Sequence, residues 1–369
     1  MAARIALLVP SLRGGGAERV MVSLANAFAQ RGFTVDLLVC TLVGPYRDEV
    51  ARGVRVVDLG ATRVAFALRA LTSYLRRERP DALLSTMAHA NVVAILARLL
   101  ARAGSTRLVV RDALPISQER GSSRWLGPMA ALAYRYCDAV VFVSDCQRRR
   151  FFERTSLGPD VEAHVILNPV SIDRIVTLAD AGPLPESTRP TVLAVGRLNA
   201  QKGFDTLIDA FVRVRREHVC DLVILGEGDE RNALLQRVAR HGLEHAVRLP
   251  GFVPNPFPHV RAASLFVLSS RWEGMPNALL QAVALGTPAI ATNCDCGPDE
   301  VLMGGRVGAL VPVDDIDALA TAMLDRLRRG GRVEPDAEWR ERFSFDTAVL
   351  RYLHACRLPA SAHPLEEPA

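Results

Sequence analysis

The sequence predicts an α/β protein of two doubly wound domains, each a parallel sheet covered by helices. Short apolar runs alternate along nearly the whole chain with amphipathic stretches of about 10 to 18 residues, the pattern of βαβ units feeding parallel strands. The length of 369 residues exceeds one ordinary α/β domain and suits two of about 150 to 200 residues each. Between the halves, NPVSIDRIVTLADAGPLPESTRP interrupts the periodicity with four prolines and several polar residues, so the boundary is placed between residues 185 and 186.

In the first domain, residues 1–185, strands are expected at 4–10, 34–40, 54–59, 81–86, 107–111, 139–144 and 164–168, with helices in the gaps. IALLVP, at the start, has the look of a signal-peptide core. It is short, contains a proline and runs into Gly14, Gly15, Gly16 and a charged helix without a cleavage pattern, so it reads as a first buried strand. The second domain, residues 186–340, repeats the architecture with strands at 191–196, 221–226, 247–249, 265–269, 288–292 and 309–311. The helix DDIDALATAMLDRLRR follows, capped by Asp314 or Asp315. Segment 341–369 reads as a last helix, SFDTAVLRYLHACR, and then a flexible tail; a crossing back to the first domain is an option that helical spacing alone does not support. Doubly wound sheets take ligands at the carboxyl ends of their strands, so a ligand is expected in a cleft that the two domains face across.

Composition narrows the class. With 49% hydrophobic and 23% charged residues the chain reads as globular. NALLQAVALGTPAIAT, the nearest approach to a membrane span, is broken by Gln, Gly and Pro. Seven scattered cysteines, of which only Cys294 and Cys296 lie close together, fit reduced cytosolic thiols better than a zinc knuckle. The net charge of +5 is uneven: residues 1–185 hold 24 Arg against 16 acids, or +8, leaving 21 basic and 24 acidic residues, or −3, for the remainder. The basic half suits an anionic lipid or phosphate partner, and no nucleic-acid partner is expected.

The stretch around which the chain is arranged is TVLAVGRLNAQKGF. An apolar strand ends at Gly196, Arg197 and Lys202 bracket a polar loop, and Gly203 opens the helix FDTLIDAFVRVRRE. Helix amino termini carry unpaired N–H groups and partial positive charge, so this loop is a plausible phosphate cradle. Lys202 is the only lysine among 45 basic residues, a compact ammonium in a chain that otherwise uses arginine; a solvated lysine is the plain alternative. A second signal is SLFVLSSRWEGMPNALLQAVALG. There a loop presents Glu273 and Gly274, Pro276 suits the first turn of a helix ending before Gly286, and N–H groups near Met275 and Asn277 are placed toward the cleft. Two weaker signals lie in the first half. One is the loop PSLRGGGAERV, whose glycines permit close backbone approach, and the other is His89 in TMAHAN at the same rim. No Asp-x-Asp or histidine cluster is placed to hold a metal, and NCDCGPDE is the nearest acidic run.

Taken together, GGGAERV, NPV, GRLNAQKG, LGEGDER and SSRWEGMPNALLQAVALGTP, in this order over nearly the whole chain, resemble the retaining glycosyltransferases of family 4. The resemblance implies the GT-B architecture of two Rossmann-like domains facing across a cleft, and transfer of a sugar from a nucleotide diphosphate sugar to an acceptor hydroxyl. It implies front-face attack without an enzymic nucleophile, the departing phosphate helping to take the acceptor proton. Charge stabilisation of the leaving diphosphate by Arg197, Lys202 and helix N–H groups needs no metal, so neither a metal nor a cofactor is expected. It implies that Arg197 and Lys202, beyond Gly196, hold the donor diphosphate. Glu273, assisted by the amides of Gly274, Met275 and Asn277, would bind sugar hydroxyls. Gly251 and Phe252 match the segment lining the base pocket, His89 falls near a histidine beside sugar and phosphate, and Gly15 and Gly16 belong to a loop closing on diphosphate and acceptor. The family pattern has a second glutamate for the ribose diol where this chain has Gln281. The amide still accepts a hydrogen bond but loses charge assistance of about 1 kcal/mol. That departure motivates the alternative of a nucleotide-binding protein with reduced or lost turnover. A phosphorylase shares the architecture, and a nicotinamide oxidoreductase lacks its fingerprint here. The expected acceptor is a lipid-linked glycan or polysaccharide intermediate. The expected location is cytoplasmic, with contact to an anionic membrane through Phe66, Leu68, Leu71 and Leu75 among Arg69, Arg76, Arg77 and Arg79, with Arg148 to Arg150 as a further basic run.

Overall fold

The computed structural model describes residues 2–13, 15–112, 126–182 and 189–362. The strands are β1 (Arg4–Ser11), β2 (Thr34–Thr41), β3 (Val54–Asp58), β4 (Ala82–Thr86), β5 (Arg107–Asp112), β6 (Ala139–Phe142), β7 (Glu162–Val165), β8 (Thr191–Val195), β9 (Asp221–Leu225), β10 (Val247–Gly251), β11 (Leu265–Leu268), β12 (Ala289–Thr292) and β13 (Ala309–Val311). The helices are α1 (Gly16–Gln30), α2 (Leu68–Glu78), α3 (Ala88–Ala101), α4 (Leu126–Ala133), α5 (Asp145–Arg154), α6 (Ile172–Asp180), α7 (Phe204–Glu217), α8 (Arg231–Arg240), α9 (Phe257–Ala262), α10 (Asn277–Ala284), α11 (Pro298–Leu302), α12 (Ile316–Arg329), α13 (Ala337–Arg342) and α14 (Phe345–Ala355). They form two compact units, Met1–Pro169 with Phe345–Ala369, and Val170–Ser344.

The first unit is a seven-stranded parallel sheet in the order β3-β2-β1-β4-β5-β6-β7. Its strands read as unbroken apolar runs because both faces are covered. In β1, Ile5, Leu7 and Val9 pack with Phe28 of α1 and Val349 and Tyr352 of α14. Ala6 and Leu8, on the opposite face, pack with Leu71 and Tyr74 of α2 and Ile95 of α3. Arg111, almost fully buried at the end of β5, donates to the Tyr352 hydroxyl (3.0 Å), Thr86 Oγ1 (3.0 Å) and Asn168 Oδ1 (2.5 Å), which fixes α14 to this sheet.

The second unit is a six-stranded parallel sheet in the order β10-β9-β8-β11-β12-β13. Val192 and Ala194 of β8 pack with Leu207 and Phe211 of α7 and Met323 of α12. The seven strands and six strands are those expected from the sequence, with β7 displaced towards the amino terminus. Ile166 and Leu167, included in the expected seventh strand, are buried but lie past the end of its ladder.

The boundary between the units lies sixteen residues before the expected 185/186 division, at Pro169 and Val170. The reason is α6, which packs on α9 of the second unit: Asn255 Nδ2 donates to the carbonyl of Leu178 (2.7 Å) and Arg261 pairs with Asp180 (2.5 Å). The expected docking face on α2 is also corrected, since Leu71 and Leu75 are fully buried, Leu68 packs against the core, and only Phe66 of the four apolar side chains is exposed.

Candidate active site

In each sheet the strand order reverses once, between β1 and β4 in the first unit and between β8 and β11 in the second. Such a reversal sends the helices following the two strands to opposite faces, and the loops between them part to leave a crevice. In the second unit the two strands part company early. β8 and β11 pair only at Val192 with Leu265 and Leu193 with Phe266, and past these residues no ladder joins the two strand ends.

Lys202 lies on the loop after β8, in the single turn Ala200–Lys202, and its aliphatic stem covers Gly196. Gly203 follows with φ of 58°, and a Cβ there would lie 2.2 Å from the Ser269 carbonyl oxygen, so only glycine permits this approach to the end of β11. Ser269 Oγ donates to the Lys202 carbonyl (2.7 Å), tying the two loops at that point. The loop after β11 then carries Glu273, 5% exposed. Lys202 Nζ donates to Glu273 Oε1 at 2.5 Å, and Ser270 Oγ donates to the same oxygen at 2.6 Å. Removing either partner of such a buried pair leaves an uncompensated charge. The ammonium has two further N–H groups without a partner among the described residues.

The other predicted residues of this unit lie on the loops after β8 and β11, at the end of β10 and on α10. Arg197 is exposed and makes no ion pair among the described residues. Gly274 and Met275 are buried, and Pro276 is the N-cap of α10 without a capping side chain, one position ahead of the helical turn expected for it. Asn277 opens α10 and Gln281 stands one turn later on the same face, half-buried. At the neighbouring rim Gly251 ends β10 close under Glu227, and Phe252 is half-exposed. Cys294, after β12, is a buried thiol pushed up to about 12 by burial and by the Glu273 charge.

The first-unit candidates occupy the reversal point of their own sheet. Gly15 is the N-cap of α1 after β1, and a Cβ on it would lie 2.0 Å from the Glu18 carboxylate; Gly16 opens the helix. Gly14 lies outside the described residues. His89 is the second residue of α3 after β4, half-buried, and follows Met87, whose φ of 74° is a strained backbone for a side chain of that size.

Sequence reasoning missed Ser270 and Arg271. A serine closing an apolar strand and an arginine in a chain with so many arginines give no signal by themselves. Arg271 nevertheless joins three segments: Nη1 donates to the Ala200 carbonyl (2.8 Å), Nη2 to Asp205 Oδ2 (2.9 Å), and Nε to Asp314 Oδ1 (2.9 Å). Burial raises the Asp205 carboxyl, and the Arg271 bond and charge outweigh it, leaving the group below the usual carboxylate range.

Two parallel doubly wound sheets with the candidate residues on loops at their reversal points match the GT-B fold, and the family models and relatives give the enzyme class as glycosyltransferase. Residues 14–174 match the model of Glycosyltransferase Family 4, and residues 189–329 that of the Glycosyl transferases group 1. The lipopolysaccharide core biosynthesis glycosyltransferase LpsE of Rhizobium meliloti (strain 1021) is 30% identical over 318 residues, 84% of this chain and 85% of that protein. The N-acetylgalactosamine-N,N'-diacetylbacillosaminyl-diphospho-undecaprenol 4-alpha-N-acetylgalactosaminyltransferase of Campylobacter jejuni is 24% identical over 371 residues, 95% of this chain and 99% of that one. Among solved structures, Anabaena HepE in complex with UDP-glucose superposes with a TM-score of 0.76 at 19% identity, covering 96% of this chain and 99% of that one. The chain belongs to glycosyltransferase family 4.

Proposed function

We propose that this chain transfers a sugar from a nucleotide diphosphate sugar to a hydroxyl of a lipopolysaccharide-type or lipid-linked glycan, with retention at the anomeric carbon. The observation that carries the reading is the 2.5 Å contact between Lys202 Nζ and Glu273 Oε1 at the β8–β11 reversal point. Departure of a nucleoside diphosphate develops negative charge, and charge-stabilising donors fixed before the reaction lower such a barrier most. Arg197 and the remaining N–H groups of Lys202 supply that charge without a metal ion. Glu273 Oε1 accepts from an ammonium and a hydroxyl, which holds the carboxylate in place with Oε2 left over. It is suited to accept from sugar hydroxyls, and the departing phosphate takes the acceptor proton. The nucleotide sugar is supported by the UDP-glucose bound to HepE, and the acceptor by the names of the Rhizobium and Campylobacter relatives.

The second part of the proposal is contact with an anionic membrane. No helix among the described residues is long and apolar enough to cross one. The apolar side chains suited to a surface are Leu96, Leu99 and Leu100 on α3, with Met129 and Leu132 on the α4 packed against it, all exposed. Exposed Arg63, Arg69, Arg77 and Arg102 on neighbouring elements of the first unit supply the opposite charge to acidic lipid.

The test is incubation of the full chain with UDP-, GDP- and ADP-sugars and a lipid-linked glycan acceptor, reading nucleoside diphosphate release and the anomeric configuration of the product. A retained configuration with stoichiometric release is expected. An inverted product contradicts retention, and no turnover of any donor contradicts transfer. Equal flotation with neutral and anionic vesicles contradicts the membrane contact.

A further inference from the structure

The β8–β11 ladder stops at Leu193 and Phe266, yet the Lys202–Glu273 pair forms farther along, between loops that the sheet no longer joins. A band of hydrogen bonds replaces the ladder. The Arg271 amide donates to the Gln201 carbonyl (2.7 Å), and Gln201 Nε2 donates to the Trp272 carbonyl (2.9 Å). The Arg271 side chain is the part of this band that reaches beyond the two loops. Nη1 holds the Ala200 carbonyl, Nη2 holds Asp205 and Thr206 in the first turn of α7, and Nε holds Asp314 ahead of α12. Asp314 is itself held in a left-handed conformation, φ 57°, and accepts from Thr206 Oγ1 at 2.9 Å.

We propose that Arg271 is a positioning residue. Through Ala200 and Asp205 it fixes the turn carrying Lys202 from both sides, sets the register of that turn against the Glu273 loop, and so aligns the ammonium for a diphosphate sugar. The inference rests on the functional reading above for its consequence in catalysis, while its geometry stands without it. The guanidinium is matched to the task because its donors diverge in one plane and bond a carbonyl and two carboxylates together. A lysine ammonium on a longer, flexible stem satisfies the carboxylates without holding the Ala200 carbonyl. A guanidinium that only ties α7 to α12 is the plain alternative. The pair Arg328–Glu217 is such a tie, joining the same two helices at 2.6 Å on the exposed side.

The chain contains a single lysine, and this gives a readout of the turn that does not depend on activity. Full-length protein labelled with 13C-lysine shows one side-chain Cε–Hε signal, that of Lys202, and Glu273→Gln marks where the signal moves when the carboxylate is lost. Arg271→Gln is expected to move the signal toward the Glu273→Gln position and to lower kcat by about 10- to 100-fold with KM changed by less than about threefold, as a misplaced catalytic group does. Arg271→Lys is expected to recover the melting temperature and to leave kcat low. Arg328→Gln is expected to leave both the signal and kcat as in the wild type. The proposal is overturned if the Lys202 signal of folded Arg271→Gln protein, or of Arg271→Lys should the first variant not fold, coincides with that of the wild type. It is overturned equally if Arg271→Lys restores kcat. A wild-type chain inactive on every nucleotide sugar defeats the functional reading alone, because the lysine signal still decides whether Arg271 sets the turn.

Discussion

Replacing Lys202 with methionine removes the ammonium and keeps most of the stem that covers Gly196. Two consequences follow from the same contact. Lys202 and Glu273 side chains are 17% and 6% exposed, so loss of one partner strands a charge in a largely dry site. Breaking such a pair destabilises by about 3 kcal/mol, the low end for a buried pair, because Ser270 continues to donate to Glu273. At roughly 2–4 °C per kcal/mol for a unit of this size, that is a fall in Tm of about 6–12 °C. Transfer falls for a separate reason, the loss of a fixed donor to the leaving group, and a drop of about 100- to 1,000-fold in kcat is expected. Glu273→Gln keeps the shape and removes the charge. The double variant therefore separates the two effects: with neither charge present, most of the Tm returns while transfer stays absent. Differential scanning fluorimetry and nucleoside diphosphate release, both on full-length protein, read the two quantities. The reasoning is refuted if Lys202→Met transfers sugar within about threefold of the wild type, or if the double variant regains transfer together with its Tm.

Gly203→Ala places a Cβ 2.2 Å from the Ser269 carbonyl oxygen at a φ of 58°, and is expected to lower stability by about 2 kcal/mol or more and to reduce transfer with it; an unchanged melting curve contradicts the close approach. Gln281→Glu is expected to tighten donor binding by about fivefold, the equivalent of the roughly 1 kcal/mol between a charged and a neutral acceptor toward a hydroxyl, measured by calorimetry with nucleoside diphosphates. Burial raises the Glu162 carboxyl, and the bonds from Arg357 and His164 with the charge of Arg107 outweigh it, so the group lies below its ordinary 4.5. Its folded form binds its proton less readily than the unfolded chain does, so its contribution is complete above pH 4.5 and is lost as pH falls through the lower folded value. Thermal melts against Glu162→Gln should differ most near neutrality and converge below that pH. A gap that widens with acid contradicts the sign.

The sheets were legible because parallel strands buried on both faces leave continuous apolar runs, as in β1 and β8, where alternate side chains enter opposite core layers. Lys202 and Glu273 were each legible as loop residues after such runs. Their direct pairing was not, since 71 positions separate them and only the strand order β8-β11 brings the loops together. The boundary was misplaced for a physical reason: proline density marks where chain leaves a helix, whereas α6, ahead of those prolines, belongs to the unit on which its apolar face rests. On α2 the helical period was correct and its direction was not, because the stripe of Leu71 and Leu75 that a periodic reading offers to a membrane is the stripe the core takes. Arg271 carried no pattern to read, as its meaning comes from Ala200, Asp205 and Asp314 meeting around it in space.

The central claim, that the Lys202–Glu273 rim receives a diphosphate-linked sugar, is tested most directly by a crystal structure of the full chain soaked with a nucleoside diphosphate. The β-phosphate is expected within hydrogen-bond distance of Lys202 Nζ, with Arg197 turned onto it. A diphosphate bound elsewhere, with the Lys202–Glu273 contact undisturbed and no phosphate oxygen near either side chain, contradicts the account.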